Sequence, residues 1–343
     1  MNSAESGDSG AAVPDRGMAR RRSISSLLSR RSGPFGRALR KYQMVWVLVL
    51  VLIGTRVAYA GFFNLVNLRG LFGQNSSLGI AAIGATFVII SGGFDLSIGG
   101  VFGLGSVIYA SLATTSLPAG FAFVVVVLVG AAAGAVNGAL VSLGGVNPFV
   151  ATIGTGSAFT GIALLYSHST THFITKPSYL SVGTRIVAGF VVPTWILLAC
   201  VICGSVCLVK SVFGRSIYAI GGNREAARLA GLPVHRLQAS VYIVAGACSA
   251  LAGVVTAAQA GSAQGSIGAA VPLAAITVVI IGGTSLAGGE GAVWKTIVGL
   301  FILASLDNVF AVKAIDPAVQ QVVTGAILVG AVAFDAWSRR LRA

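Results

Sequence analysis

The sequence predicts an all-α, polytopic membrane protein with about ten transmembrane helices and with both termini in the cytoplasm. Of its 343 residues, 55% are hydrophobic and only 9% are charged, and the mean hydropathy is +0.90. A typical soluble domain has roughly 45–50% apolar and about 25% charged residues, and a core of this size cannot hide such an apolar surplus from water. The composition therefore excludes a soluble enzyme, a secreted disulfide scaffold and a disordered protein.

Ten stretches of the sequence are candidates for membrane-spanning helices, because such a helix needs about 20 mostly apolar residues. The second, third and eighth of them are short or interrupted by glycine pairs. In the fourth stretch Gly130, Gly134 and Gly138 recur at every fourth position, a spacing that lets helix backbones approach closely. In chain order, the stretches are 43–63, 76–91, 96–115, 119–142, 147–166, 187–209, 238–258, 268–284, 293–311 and 317–336.

The segment before the first stretch, residues 1–41, is predicted to be a disordered and basic cytoplasmic tail. Nine of the 23 Lys and Arg residues lie in it, between Arg16 and Lys41, and it shows no hydrophobic periodicity. Such a segment cannot bury enough apolar surface to fold. Because it adjoins an apolar stretch, we expect it to be attracted to anionic membrane lipid and not to nucleic acid.

The distribution of charge tests the number of spans, since cytoplasmic loops carry an excess of Lys and Arg. Within the predicted transmembrane domain, residues 42–338, the basic loop 210–237 is expected to be cytoplasmic. The basic carboxyl terminus, residues 339–343, is expected to be cytoplasmic as well. Six stretches precede the loop and four follow it. Both numbers are even, so the two termini and the loop can lie on the same side of the membrane.

Two glycine-rich segments, residues 91–100 and 282–291, interrupt the apolar helices. Non-helical backbone at membrane depth persists only where protein buries it or a cavity hydrates it, and paired interruptions point to a transport pathway. The alternative is that Asp95 or Ser97 caps the following helix at the cytoplasmic surface. The parity of the spans places both breaks on the same side, which argues against a simple inverted repeat. The predicted helix-break residues are Gly92, Gly93, Ser97, Gly282, Gly283 and Ser285.

Within the basic loop, residues 223–233 predict one short helix with well-defined ends. Asn223 is a good N-cap and Glu225 suits the first turn. Gly231 fits the position after the C-cap, and Pro233 prevents continuation of the helix. An isolated helix of two turns is unstable in water. It therefore packs either on this protein's own cytoplasmic face or on a soluble partner, unless the segment is only a connector.

The sequence lacks the motifs that an enzyme or an ATPase would need. It has no G-x-x-x-x-G-K-[ST] loop to hold nucleotide phosphates, and the glycine run 282–291 contains no lysine. The four cysteines lie in apolar stretches without a nearby His or carboxylate, and no catalytic constellation stands out among the three histidines. We therefore expect no catalytic residues, no metal site and no cofactor bound by this chain.

Four motifs follow one another along the chain: G-F-D-L-S-I-G at 93–99, N-P-F-V-A-T-I-G-T at 147–155, I-G-G-N-R-E-A-A-R-L-A-G at 220–231 and G-G-T-S-L-A-G-G at 282–289. Together they resemble the ribose-type permease family, the membrane subunits of ATP-binding-cassette sugar importers. The similarity runs from about residue 43 to residue 337. One departure is Glu290 after the last motif, where the family pattern has a basic residue.

The resemblance implies a permease of the bacterial plasma (inner) membrane that has no enzymatic site of its own. It implies ATPase subunits on other chains, which use the ATP, an extracytoplasmic sugar-binding protein, and a second permease copy, either identical or paralogous. The short helix of the basic loop would then be the element that couples to the ATPase. Its predicted coupling residues are Asn223, Glu225, Ala226, Ala227 and Gly231.

The substrate that the resemblance implies is a monosaccharide, ribose-like or a related sugar or polyol. A neutral sugar needs hydrogen-bonding side chains and aromatic faces in an otherwise apolar cavity. Capping and helix packing are competing roles for every residue that could supply them. The candidates for the translocation pathway are Phe94, Asp95, Asn137, Asn147 and Asn308.

Two other classes of function stay open, an ion-coupled secondary transporter and a passive solute channel. The first needs intramembrane charges, yet away from the span ends the stretches hold only Arg56 and Asp307, with Asp95 in a break. A channel of the aquaporin kind would need two Asn-Pro half-helix motifs followed by alanine. This chain has one, at Asn147, and it is followed by Phe149.

Overall fold

The computed structural model describes residues 43–340 and shows a bundle of helices with two very short β-ladders. The helices of this part are α1 (Gln43–Ala58), α2 (Leu65–Gln74), α3 (Ser76–Ile90), α4 (Ile98–Leu112), α5 (Ala119–Ser142), α6 (Pro148–Tyr166), α7 (Pro177–Thr184), α8 (Val192–Lys210), α9 (Val212–Gly222), α10 (Arg224–Leu229), α11 (Val234–Ala260), α12 (Val271–Ile281), α13 (Val293–Val312) and α14 (Pro317–Arg340). The antiparallel strand pairs are β1 (His172–Phe173) with β4 (Ser262–Ala263) and β2 (Ile186–Val187) with β3 (Phe190–Val191). The predicted tail, 1–41, lies outside the described residues.

Five helices are long and apolar enough to cross a membrane, namely α5, α6, α8, α11 and α13. Helices α2 and α3 meet at a bend of 48° and make a sixth span if they are counted as one broken helix. Within residues 43–340, four shorter apolar helices lie in α1, α4, α12 and the first part of α14. The all-α membrane class is thereby confirmed, whereas the number of ten spans and the orientation of the termini stay predictions.

Helix α11 forms the centre of the bundle and packs against α3, α4 and α5. The close approach predicted for α5 is present. A methyl group added at Gly138 would lie 2.8 Å from the Cα of Ala239, and one added at Gly130 or Gly134 would overlap backbone carbonyl groups of α11. These glycines therefore set the separation of α5 and α11, as expected for small residues at this spacing.

Helix α11 has 27 residues and extends over about 40 Å, so the two ends of the bundle are well separated. One end, which we call the basic end, holds the loop 91–97, the segment 210–233 and the loop 282–292. The other, which we call the ladder end, holds both β-ladders and α7. There the hydroxyl group of Tyr179 donates to the carbonyl oxygen of Leu112 at 3.1 Å, which ties α7 to the end of α4. Helices α4 and α13 therefore run from the basic end to the ladder end, and α3 and α12 run in the opposite direction.

Candidate functional site

The short helix predicted at residues 223–233 is present as α10, with the predicted signals at both of its ends. The Oδ1 atom of Asn223 accepts a hydrogen bond from the Ala226 amide at 2.9 Å, which is the N-cap. Gly231 has a φ of +82°, a conformation that suits glycine after a helix C-cap. The Leu232 amide then donates to the Ala227 carbonyl oxygen at 3.1 Å, which closes the last turn.

Helix α10 is seated on the bundle by one side and exposes the rest. Ala227 is buried and packs in a small apolar cluster with Ile220 of α9 and Val234 of α11. Most of the other side chains of α10 are exposed, including Leu229, an apolar residue that is 77% exposed at the end of the helix. The predicted coupling residues therefore divide by position: Ala227 anchors the helix, whereas Glu225 and Ala226 belong to its free surface.

An ion pair crosses the exposed surface of α10. The Nη2 atom of Arg228 lies 2.6 Å from the Oε1 atom of Glu225, and both side chains are well exposed. The hydrogen bond from Arg228 lowers the pKa of Glu225 below its ordinary value and raises the pKa of Arg228. An exposed pair of this kind contributes little to stability. It does hold both charges in a fixed position on the face that a partner would meet.

The two predicted helix breaks contact each other at the base of α10. We call this contact, formed by Gly92, Gly221, Gly288 and Gly289, the glycine junction. The amide of Gly289 donates to the carbonyl oxygen of Ile90, at the end of α3, at 2.8 Å. A methyl group on Gly288 would lie 2.8 Å from the Cα of Gly92 and 2.9 Å from the carbonyl oxygen of Gly221.

Only glycine suits these positions, for two reasons. Gly92, Gly288 and Gly289 have φ values of +79°, +83° and +74°, which side chains disfavour. At Gly221, Gly288 and Gly289 the backbones also approach so closely that an added Cβ atom would overlap its neighbours. The expectation that both breaks lie on the same side of the bundle is confirmed. The contact of both breaks with α9 was not predicted, although two of the four sequence motifs contain glycine pairs at or beside the contacting positions.

The other predicted break residues lie around the junction. Gly282 ends α12 against the backbone of Lys295, and Gly283, with a φ of +91°, begins the loop that follows. Ser285 forms the turn of this loop, because its carbonyl oxygen accepts from the Gly288 amide at 3.1 Å. On the first break, Gly93 packs beside the hydroxyl group of Tyr242.

A buried chain of hydrogen bonds links the first break to α5 and α6. Asp95 accepts from both the amide (2.9 Å) and the hydroxyl group (2.6 Å) of Ser97, the residue immediately before α4, and Ser97 itself makes no side-chain capping bond to that helix. Asn137 donates its side-chain amide to the Ser97 hydroxyl oxygen at 2.6 Å and accepts from Thr155 at 2.5 Å. Because Asp95, Ser97 and Asn137 are all buried, these bonds satisfy polar groups that water does not reach.

The predicted pathway residues do not form one site. Asp95 and Asn137 share the buried chain, and the carbonyl oxygen of Phe94 nearby accepts from the Tyr242 hydroxyl group at 3.1 Å. Asn147 is exposed at the start of α6, where it caps the Phe149 amide. Asn308 lies on α13 near the ladder end and exchanges two side-chain hydrogen bonds with Asn67 of α2. The assignment of these residues to a pathway stays a prediction.

A cavity of about 680 Å³ opens near Asn308, between α2, α12, α13 and α14. Its polar lining was not recognised from the sequence, because it combines residues of several helices far apart along the chain. Within residues 43–340, no group of three His, Cys, Asp or Glu side chains could hold a metal ion. The polar residues that line the cavity are Gln74, Asn75, Thr277, Asp307, Asn308, Gln320, Gln321 and Thr324.

A helical membrane bundle with an exposed capped helix at one end and a cavity at the other agrees with the class of transport permeases, to which the relatives named below belong. Comparison with known families identifies the family to which the chain belongs. The chain belongs to the family described as branched-chain amino acid transport system / permease component, which matches residues 67–332.

Its similar relatives include permeases for sugars. The ribose import permease protein RbsC of Haemophilus influenzae is 34% identical over 304 residues, which cover 88% of this chain and 94% of the relative. The L-arabinose transport system permease protein AraH of Escherichia coli is 32% identical over 318 residues, with 90% and 94% covered. The D-allose permease protein AlsC of Escherichia coli is 33% identical over 306 residues, with 88% and 94% covered.

The resemblance found in the four motifs is thereby confirmed, as is the location in the bacterial inner membrane. No solved structure matches the chain.

Proposed function

We propose that this chain is the membrane-spanning subunit of an ATP-binding-cassette importer, which carries a monosaccharide inward and is powered by separate ATPase subunits. The observation that carries the proposal is α10. It is a six-residue helix with a side-chain N-cap and a glycine stop, and it presents Glu225, Arg228 and Leu229 to the outside. So short a helix is not stable on its own, so its defined ends and its free surface suit a rigid contact with a partner.

The basic end is then the cytoplasmic end. Lys210, Arg215, Arg224, Arg228 and Arg236 lie there, and an excess of Lys and Arg is typical of cytoplasmic loops. The ATPase subunits, which use the ATP, would bind at this end. The sugar-binding protein would dock at the ladder end, and a second permease copy would complete the transporter in the lipid bilayer.

The glycine junction supports a mechanism for coupling. Gly221 lies in the last turn of α9, two residues before the N-cap of α10, and its backbone lies against both helix breaks. Backbone contacts without intervening side chains leave no flexible atoms to absorb a displacement. A push on α10 would therefore shift the loops that join α3 to α4 and α12 to α13, and these helices reach the ladder end of the bundle.

The names of the relatives guide the choice of substrate. Ribose, L-arabinose and D-allose are the sugars in those names, so a neutral monosaccharide or a related polyol is the substrate class that we propose. The separate binding protein would select the particular sugar. The chain itself would bind no cofactor.

The proposal is tested by co-purification and by charge reversal on α10. We expect the tagged chain to retain a P-loop ATPase from its native host membranes, and we expect Glu225→Lys or Gly231→Asp to abolish both capture and sugar uptake while membrane insertion is kept. Glu290→Lys is the matched control, because it reverses an exposed carboxylate at the same end but outside α10. Normal capture and uptake with Glu225→Lys would show that α10 is not the coupling element. ATP-independent uptake would favour an ion-coupled transporter or a channel.

A further inference from the structure

The cavity of about 680 Å³ at the ladder end contains a carboxylate without a partner. Asp307 lies on α13, five residues before the helix ends at Val312, which places it about 8 Å from that end. Within the described part of the chain, its side chain takes part in no hydrogen bond and no ion pair. The side chain of Asp307 is exposed and borders the open cavity. Charged residues within membrane-spanning helices face the bundle interior or a water-filled cavity and commonly mark a substrate pathway.

Among the described residues, some polar side chains that line the cavity already have hydrogen-bond partners and others have none. Asn308 is bonded to Asn67, the Asn75 side chain donates to the Leu71 carbonyl oxygen, and the Gln320 side chain donates to the Ile315 carbonyl oxygen. Among residues 43–340, by contrast, no side-chain partner is found for three further lining residues. These are Gln74 at the end of α2 and Gln321 and Thr324 on α14.

We propose that this cavity binds a polyhydroxylated neutral solute, with Asp307 as the main acceptor of its hydroxyl groups and with Gln74, Gln321 and Thr324 as the further hydrogen-bonding groups. The inference rests on the proposed function and deepens it, since it assigns the sugar a binding site on this chain. A carboxylate accepts hydrogen bonds only, whereas an amide both donates and accepts. Adjacent hydroxyl groups of a sugar, each of which donates and accepts, match such a set.

The form of the cavity agrees with this assignment. Its volume lies in the range of small-molecule sites, about 300–1,000 Å³. A metal ion would require more acidic or imidazole ligands than Asp307 alone, and lipid chains would leave four polar side chains unsatisfied. No aromatic side chain lines the cavity, so tight stacking on a sugar ring is absent there. Weak binding suits a transit site, since a transported solute has to leave as well as enter.

The position of the cavity also fits the direction of transport. Helices α12 and α13 both connect the glycine junction with the cavity, which is lined by the starting residues of α12 and the last turns of α13. A sugar released by a receptor at the ladder end would therefore reach Asp307 near the outer end of these helices. Movement of the loop between α12 and α13 at the basic end would change the separation of the same two helices around the solute.

The test measures uptake of D-ribose, L-arabinose and D-allose in proteoliposomes that hold the chain with its ATPase and its receptor. We expect Asp307→Asn to lower uptake of the transported sugar about tenfold, the effect of losing one hydrogen bond to a charged group. Gln321→Ala should lower it about fivefold, the effect of losing one neutral hydrogen bond. Asp307→Glu, which keeps the acceptor, should retain more uptake than Asp307→Asn. Capture of the ATPase serves as the test of folding for every variant.

Asp316→Asn is the matched control, since this carboxylate lies at the same end but outside the cavity lining and caps the Ala318 amide, a role that asparagine can keep. Unimpaired uptake by Asp307→Asn, or an equal loss in Asp307→Asn and Asp316→Asn, overturns the assignment of the cavity while the proposed function stands. Wild-type protein that takes up none of the three sugars in the presence of ATP overturns the proposed function, and the cavity assignment with it.

Discussion

Replacing Gly221 with alanine is expected to uncouple ATP hydrolysis from sugar import. Gly221 lies two residues before Asn223, the N-cap of α10, and contacts both helix breaks in the glycine junction. A methyl group at this position would overlap the carbonyl oxygen of Ile90 and lie 2.5 Å from the nitrogen of Gly289. These two atoms form the 2.8 Å hydrogen bond that joins the breaks. The substitution therefore has to separate them.

The structure indicates how large the effect is. Overpacking of a tight contact typically costs about 1–3 kcal/mol, and a buried backbone group left without its partner costs about 1–3 kcal/mol more. Local relaxation offsets part of this, so we expect a destabilisation of the junction of roughly 2–3 kcal/mol. Gly222→Ala is the matched control, because a methyl group there meets no atom within 4 Å. Its effect should stay within about 0.5 kcal/mol.

The assay compares ATP hydrolysis and D-ribose uptake for the two variants in proteoliposomes with the ATPase and the receptor. For Gly221→Ala we expect the sugar transported per ATP to fall at least about tenfold, since about 1.4 kcal/mol corresponds to a factor of ten. Gly222→Ala should couple like the wild type. If Gly221→Ala transports as much sugar per ATP as Gly222→Ala, the junction does not transmit movement and the reasoning is refuted.

Three further substitutions test separate parts of the account. Asn223→Ala removes the cap on the Ala226 amide and should weaken α10 by about 1 kcal/mol, measured as reduced capture of the ATPase, whereas Asn223→Asp should retain capture. Arg228→Gln should raise the pKa of Glu225 towards the ordinary value of a glutamate, as followed by carboxyl NMR. In the wild type, the ion pair between Glu225 and Arg228 is fully formed above the ordinary pKa of a glutamate. It is lost as the pH falls through the lower pKa of Glu225 in the folded state. Loss of the pair already at pH 6 would contradict this ion pair. Asn308→Ala should lower the free energy of unfolding by about 1–3 kcal/mol because it leaves the side-chain oxygen of Asn67 without its donor. A double replacement that costs the full sum of both single ones would show that the pair does not interact.

The features that the sequence predicts best are those set by neighbouring residues. The ends of α10 follow from Asn223, Gly231 and Pro233, each of which acts within a few positions of itself. The packing of α5 on α11 follows from glycines at every fourth position. Asp95 was expected either in a helix break or as a helix cap, and the structure buries it with hydrogen bonds to Ser97 just before α4.

The features that the sequence does not predict depend on distant partners. Helix α2 was not recognised, because Asn67 and Arg69 resemble a polar link. In the fold, Asn67 is paired with Asn308, 241 positions away. The segment 210–237 is largely helical, and its helices α9 and α10 are held by the junction and by Ala227. The cavity around Asp307 combines residues of four helices, so no local pattern marks it.

The central claim is that ATP hydrolysis by a separate ATPase moves α10 and that this movement drives sugar import through the bundle. The most direct measurement compares D-ribose accumulation in proteoliposomes that hold the chain alone, the chain with its ATPase, or the chain with both ATPase and receptor, each with and without ATP. We predict accumulation only in the complete system and only with ATP hydrolysis. Accumulation by the chain alone, or by the complete system without ATP, would contradict the account.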